Sequence, residues 1–256
     1  MPVIAPVTAP IIAPVIASVT QPLIEPMGLT FRQRWRYGVL KAWAMLLLTT
    51  GQRVAALHIF GQLLLLHPTS RYALASQAHV QMQLHQTDAA IVTLQRLTAV
   101  IGSQIEQAAA WFNLGFALQQ AELTNAAGEA FENALAFDAR LDRAWYGLGL
   151  VRMAQCQFHA AVKAFEKNTR LQPMSPHGWY RLVQSWLALG ETAKAVKVVA
   201  HLRRFEPRVA AQLERENSGL LRFEQHQSHQ LQQPPRLNRS ALAPETPRFG
   251  ARDAAP

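Results

Sequence analysis

The sequence predicts an all-α protein whose central part is a solenoid of stacked helix pairs. Half of its 256 residues are apolar, mostly alanine and leucine, which favours helices over strands. Similar blocks open at Trp111, Trp145 and Trp179, which lie 34 residues apart. A fixed period of this length is typical of repeat proteins, in which each unit buries its apolar stripe only against its neighbours.

The N-terminal segment, residues 1–30, is set apart by its prolines, six of which lie within residues 1–26. Proline at this density removes backbone donors and clashes with the preceding turn, so the segment does not form a membrane helix despite its valines and isoleucines. We expect it to be disordered and not to be a secretory signal. Either Met1 or Met27 is the initiating residue.

The blocks share residue types beyond their tryptophans. The block that opens at Trp145 continues with Leu148, Gly149, Ala161, Phe165 and Pro173. The block that opens at Trp179 has Val183 in place of the glycine. The order of W-x2-L-G, then A-x3-F, then proline resembles the sequence pattern of the tetratricopeptide-repeat family. The resemblance implies a right-handed solenoid of helix-turn-helix units.

Two weaker copies without tryptophan precede these blocks, and one of them contains Gly51, Ala56, Phe60 and Pro68. Together with the three tryptophan blocks, these copies predict a repeat domain over residues 31–223. Its first helix is predicted at 37–49, and a short insertion is predicted before residue 108. The five units are predicted at 37–70, 71–107, 108–141, 142–175 and 176–209, followed by a capping helix at 210–223. Residues 224–256, rich in glutamine, proline and arginine, are predicted to be a disordered tail.

Small and large residues alternate within each unit in a way that predicts close helix packing. Gly115 and Gly149 allow two helices to approach, and Phe131 and Phe165 fill the space between them. The three periodic tryptophans are expected to pack in the core.

The resemblance also implies a concave groove, lined mainly by the first helix of each unit, that binds a peptide of another protein. The groove positions of the family correspond here to Lys41, Met45, His79, Met82, Phe112, Asn113, Phe116, Gln119, Tyr146, Leu150, Met153, Tyr180, Arg181 and Gln184. The centre of this set is aromatic and methionine-rich, so we expect an apolar or amphipathic peptide. Met45, Phe116 and Leu150 stand where a carboxylate clamp requires polar side chains, which disfavours that kind of site.

No pattern in the sequence indicates catalysis, a metal site or a cofactor. The chain has one cysteine, Cys156, and no H-E-x-x-H, paired-cysteine or G-x-S-x-G motif. The net charge of +9 is spread along the chain, so no nucleic-acid partner is expected. We therefore expect a cytoplasmic, non-enzymatic scaffold or adaptor.

Two further hypotheses concern the ends of the repeats. Arg32, Arg34 and Arg36 lie close to Trp35 and Trp43, so an alternative is an assembly factor peripheral to a membrane whose residues 32–41 contact anionic lipid. Self-association through the solenoid ends is the other hypothesis.

Overall fold

A computed structural model describes residues 30–217, which form eleven α-helices and no strand. The helices are α1 Phe31–Thr49, α2 Arg53–Leu66, α3 Arg71–Gln83, α4 Thr87–Ala99, α5 Gln104–Gln120, α6 Thr124–Phe137, α7 Asp142–Ala154, α8 Phe158–Leu171, α9 Pro176–Ala188, α10 Thr192–Phe205 and α11 Pro207–Glu216. The segments predicted to be disordered at both ends, and the last residues of the predicted capping helix, lie outside the described residues.

Helices that follow one another in the chain pack against one another along its whole described length. The first ten therefore form five pairs, which we number unit 1 (α1 and α2) to unit 5 (α9 and α10). Helix α11 packs against both helices of unit 5 and closes the C-terminal end. The all-α solenoid predicted from the sequence is confirmed.

The turn inside each pair has the same backbone conformation in all five units. Each turn contains one residue in the left-handed conformation, with φ between 57° and 77°. From unit 1 to unit 5 these residues are Gly51, His85, Glu122, Cys156 and Gly190. Successive members are 34 residues apart, except for the step of 37 from His85 to Glu122. The extra residues lie in the connection before α5 and in its first turn, since α4 ends at Ala99 and α5 is 17 residues long.

Helix α1 begins at Phe31, six residues before the first helix expected from the repeat register. A capping box explains this start: the Gln33 backbone N–H donates to Thr30 Oγ1 (3.4 Å), and the Thr30 N–H donates to Gln33 Oε1 (2.9 Å). Helix α11 likewise begins at Pro207, earlier than residue 210, because proline is well suited to the first position of a helix.

The core is continuous through most of the solenoid and then divides. One cluster of buried residues extends from Tyr37 in unit 1 to Val151 in unit 4. Two smaller clusters follow, one around Phe165 and the other around Val199. Unit 5 is thus held by the cluster around Val199, which it shares with α11, and by Leu182, which joins it to Phe165 of unit 4.

Phenylalanine rings fill the space beside glycines, as the small and large pattern predicts. A Cβ atom added at Gly115 would lie 2.8 Å from the ring of Phe131, and one added at Gly147 of the next unit 2.6 Å from it. At Gly149 the added atom would lie 2.5 Å from Phe165. Because both rings are fully buried, these glycines set the distance between neighbouring helices.

The periodic tryptophans pack against the core but remain partly exposed. The indole N–H of Trp145 donates to the carbonyl of Ala139 (2.9 Å), and that of Trp179 donates to the carbonyl of Pro173 (2.8 Å). These two tryptophans therefore fix the connection between successive units in addition to packing on the core. Trp111 does not fix a connection in this way. The residue six positions before it, Ile105, already belongs to α5 and not to the connection between units.

Candidate functional site

The first helices of units 3, 4 and 5 form one uninterrupted surface. Helix α5 contacts α7, α7 contacts α9, and α9 contacts α11. We call this the first-helix surface, and α3 and α1 extend it towards the N-terminus. All fourteen side chains proposed from the sequence belong to these five first helices.

Thirteen of the proposed side chains are partly exposed and one is not. Phe112 is 7% exposed and its ring lies 5.9 Å from that of Phe131, so it belongs to the core. The expectation that Phe112 offers its ring to a ligand does not fit this placement. Phe116, one helical turn later, is partly exposed.

The apolar centre of the first-helix surface rests on a packed layer beneath it. Tyr146, Leu150 and Met153 of α7 pack against the buried cluster around Phe165, with the Tyr146 ring 5.8 Å from the Phe165 ring in an edge contact. Packing of this kind holds the side chains in place while part of each stays accessible. Met153 adds a flexible and polarizable group to the two more rigid ones.

The C-terminal end of the surface is polar and is connected to α11. The Tyr180 hydroxyl donates to Glu216 Oε2 (2.7 Å), and Arg181 Nη1 donates to Gln184 Oε1 (2.8 Å). Burial, followed by the hydrogen bond to the Glu216 carboxylate, raises the pKa of Tyr180 to about 12. Glu216 was not found from the sequence, because it lies beyond the last repeat unit.

The N-terminal end of the surface is polar as well. Lys41 Nζ lies 4.2 Å from the centre of the Tyr72 ring, a cation-π contact. His79 Nε2 lies 3.0 Å from Gln83 Nε2, and burial together with the charge of Arg53 lowers the pKa of His79. Tyr72 and Gln83 were missed, although their spacing from His79 along α3 places them on the same helix face.

The described residues contain no group of three or more metal-ligating side chains, and Cys156 is exposed. Among residues 30–217, no helix combines the length and the apolar character needed to cross a bilayer.

No protein-family model matches the sequence, and no curated protein matches it significantly. Solved structures do match. The crystal structure of MamA superposes with a TM-score of 0.60 at 20% identity, covering 72% of this chain and 94% of MamA. YrrB, a tetratricopeptide-repeat protein with an unusual peptide-binding site, superposes with a TM-score of 0.59 at 15% identity, covering 69% and 90%. The chain has the tetratricopeptide-repeat fold.

A third tetratricopeptide-like neighbour, Pseudomonas aeruginosa PilF, superposes with a TM-score of 0.54 at 19% identity, covering 77% of this chain and 99% of PilF. At this level of identity the similarity establishes the fold of the repeats and does not transfer a ligand. The resemblance predicted from the sequence is thereby confirmed at the level of the fold.

The two cationic residues proposed from the sequence, Lys41 and Arg181, have contacts within the chain. Lys41 lies over the Tyr72 ring in unit 2, and Arg181 of unit 5 donates to Gln184. They lie at opposite ends of the first-helix surface. The centre between them is apolar, as described for Leu150 and Met153.

Proposed function

We propose that the chain is a protein-interaction scaffold that binds an apolar or amphipathic peptide of another protein on the first-helix surface. The observation that carries this proposal is that three apolar side chains, Phe116, Leu150 and Met153, are partly exposed on two first helices that contact each other, α5 and α7. Apolar side chains that stay accessible on a rigid support are typical of binding hot spots. The proposed function is binding and not catalysis.

The two ends of the surface suit the polar parts of such a peptide. Tyr180, Arg181 and Gln184 at one end, and Lys41 and His79 at the other, carry donors and acceptors for its backbone or its polar side chains. The chemistry thus favours a ligand with an apolar middle and polar flanks. The shared fold supports this proposal, since YrrB is a repeat protein of the same fold with a peptide-binding site.

Selection from a random peptide library displayed on phage tests the proposal without knowledge of the natural partner. We expect the selected peptides to contain apolar residues at their centre. The double substitution F116S/L150S should weaken their binding at least about tenfold, because it removes two partly exposed apolar contacts.

The matched control is L65S/V92S, which removes two exposed apolar side chains from second helices. Binding by this variant should equal that of the unmodified chain. Circular dichroism checks that both variants remain helical. Phe112→Ala is unsuitable for this test, because Phe112 is part of the core. Equal affinity of the peptides for F116S/L150S and for the unmodified chain would contradict the proposal.

A further inference from the structure

Helix α1 has an apolar face that nothing among the described residues covers. Its opposite face packs into the core through Tyr37, Ala44 and Leu47. The uncovered face carries Phe31, Trp35, Val39, Trp43 and Leu46, which are 83%, 68%, 47%, 52% and 50% exposed. In the later units a preceding helix pair packs against the first helix, and unit 1 has no preceding pair among the described residues.

These five residues form one continuous stripe, which we call the α1 stripe. Their separations of three or four residues keep them on the same side of the helix. At the helical rise per residue the α1 stripe is about 22 Å long. It continues onto α2 across an open depression lined by Trp43, Val54 and Ile59. Exposed apolar surface of this extent marks an interaction site.

The charged residues of helix α1 are all positive. Helix α1 contains Arg32, Arg34, Arg36 and Lys41 and no aspartate or glutamate. The rotation of about 100° per residue places Arg32 and Arg36 along one edge of the α1 stripe. Both are exposed, and within residues 30–217 neither takes part in an ion pair.

We propose that α1 lies on an anionic lipid surface, with the α1 stripe buried at the boundary between headgroups and acyl chains. Tryptophan is well suited to this boundary, because its large apolar ring carries a polar N–H, and phenylalanine and leucine are typical of the apolar face of helices that lie there. Arg32 and Arg36 would then contact lipid phosphates. This inference is independent of the proposed peptide binding, since Lys41 and Met45 do not belong to the α1 stripe.

Charge complementarity favours lipid over a second copy of the chain. Two α1 stripes packed together would bring two arginine edges into one interface, and α1 offers no carboxylate to neutralise them. The opposite end of the solenoid is no better match. Helix α11 carries two exposed arginines, Arg208 and Arg215, and its two glutamates already have partners, since Glu214 pairs with Arg203 and Glu216 accepts from Tyr180.

Sedimentation of the full chain with lipid vesicles tests the inference. We expect binding to vesicles of phosphatidylcholine mixed with phosphatidylglycerol, weaker binding as salt is raised, and much less binding to phosphatidylcholine alone. The fluorescence of Trp35 and Trp43 should shift to shorter wavelength as they leave water. The absence of any binding to the mixed vesicles would overturn the proposal.

Paired variants separate the apolar and the electrostatic contributions. The substitution W35S/W43S should abolish vesicle binding, and R32Q/R36Q should weaken it at least about tenfold. The control R208Q/R215Q removes the same charge from the opposite end and should bind as the unmodified chain does. All four substituted arginines are exposed, so their replacement leaves the packing intact. Equal binding by all of these variants would also overturn the proposal.

Other occupants of the α1 stripe give different results. Light scattering that shows a dimer, dissociated by W35S/W43S, together with no vesicle binding would identify a second copy. A monomer whose Trp35 and Trp43 are shielded from acrylamide without lipid would show that a part of the chain outside residues 30–217 covers the stripe. Either result would overturn the lipid assignment.

Discussion

Units 4 and 5 build the same packing contact from different residues. Unit 4 places Gly149 against Phe165, and at the equivalent positions, 34 residues later, unit 5 has Val183 and Val199. All four residues are buried. The fold therefore requires a certain total volume between the two helices of a unit, which a glycine with a phenylalanine or two valines can supply.

The turns of the same two units also differ, and here the glycine belongs to unit 5. Unit 5 has Gly190 in the left-handed conformation (φ 74°), where glycine is at ease. Unit 4 has Cys156 there (φ 57°), and its Cβ atom is crowded by the backbone. Unit 4 therefore tolerates a strained residue in its turn, which unit 5 avoids with a glycine.

The third difference lies on the first-helix surface. Tyr146 of unit 4 directs its ring to Phe165 of the layer below, whereas Tyr180, the equivalent residue of unit 5, donates its hydroxyl to Glu216 of α11. One tyrosine supports the apolar centre, and the other fastens the capping helix. Equivalent positions in a repeat thus acquire different roles from the elements next to them.

Gly149→Val is expected to have the largest effect. The new Cβ atom would lie 2.5 Å from the fully buried ring of Phe165, so we expect a loss of about 3 kcal/mol in the free energy of unfolding. Urea denaturation followed by circular dichroism measures this loss. The control is Gly61→Val, because an added Cβ at Gly61 in α2 meets nothing within 4 Å. Similar losses in both variants would refute the volume explanation.

The same comparison predicts a rescue. Adding Phe165→Val to Gly149→Val recreates the valine pair of unit 5 in unit 4. Residues in direct contact are coupled, so the double variant should regain at least about 1 kcal/mol relative to Gly149→Val alone. A double variant as unstable as the sum of the two single variants would show that the positions are independent.

Exchange of the turn residues is expected to have an intermediate effect. Gly190→Cys should lower the free energy of unfolding by about 1 kcal/mol, and Cys156→Gly should raise it by a similar or smaller amount. Because no atom lies within 4 Å of a Cβ added at Gly190, the backbone conformation alone would cause the loss. Denaturant midpoints of the two variants measure both effects. A stabilising Gly190→Cys substitution would be inconsistent with the turn geometry.

The smallest effect concerns the hydroxyl of Tyr180. Glu216→Gln should lower the pKa of Tyr180 from about 12 towards its ordinary value of 10.0, although burial, the largest cause of the shift, remains. Absorbance titration of tyrosinate, with Tyr180→Phe as the reference for the other three tyrosines, measures the change.

The same pKa predicts the direction of a stability change with pH. Since the pKa of Tyr180 is higher in the folded chain, its contribution to stability is complete below pH 10.0 and is lost as the pH rises through about 12. Tyr180→Phe should lose less stability over this interval than the unmodified chain. Identical pH profiles would show that the pKa of Tyr180 is not raised in the folded chain.

Much of the fold could be predicted because its signals are local and repeated. The tryptophan period located the helix pairs, and the glycine and phenylalanine positions located the close contacts. The start of α1 was missed although Thr30 and Gln33 carry the spacing of a capping box. The repeat register alone predicts a start six residues later, because α3, α7 and α9 have no such extension.

The candidate site was less predictable, because it depends on contacts between elements. Phe112 and Phe116 share a helix face, and only the approach of the Phe131 ring distinguishes the buried one from the partly exposed one. The bond between Tyr180 and Glu216 joins residues 36 positions apart and depends on how α11 docks. The left-handed turns at Glu122 and Cys156 have no signal in their residue types.

The division of the core described above also bears on how the chain unfolds. A solenoid gains stability mainly from contacts between neighbouring units, so a gap in the apolar core is a point where cooperativity falls. The long cluster from α1 to α7 should therefore be the most cooperative part, while the cluster around Val199, which includes α11, opens at lower free energy. The cluster around Phe165 joins the two through α8 and α9. Amide hydrogens of α10 and α11 would then exchange with solvent before those of α5 and α6.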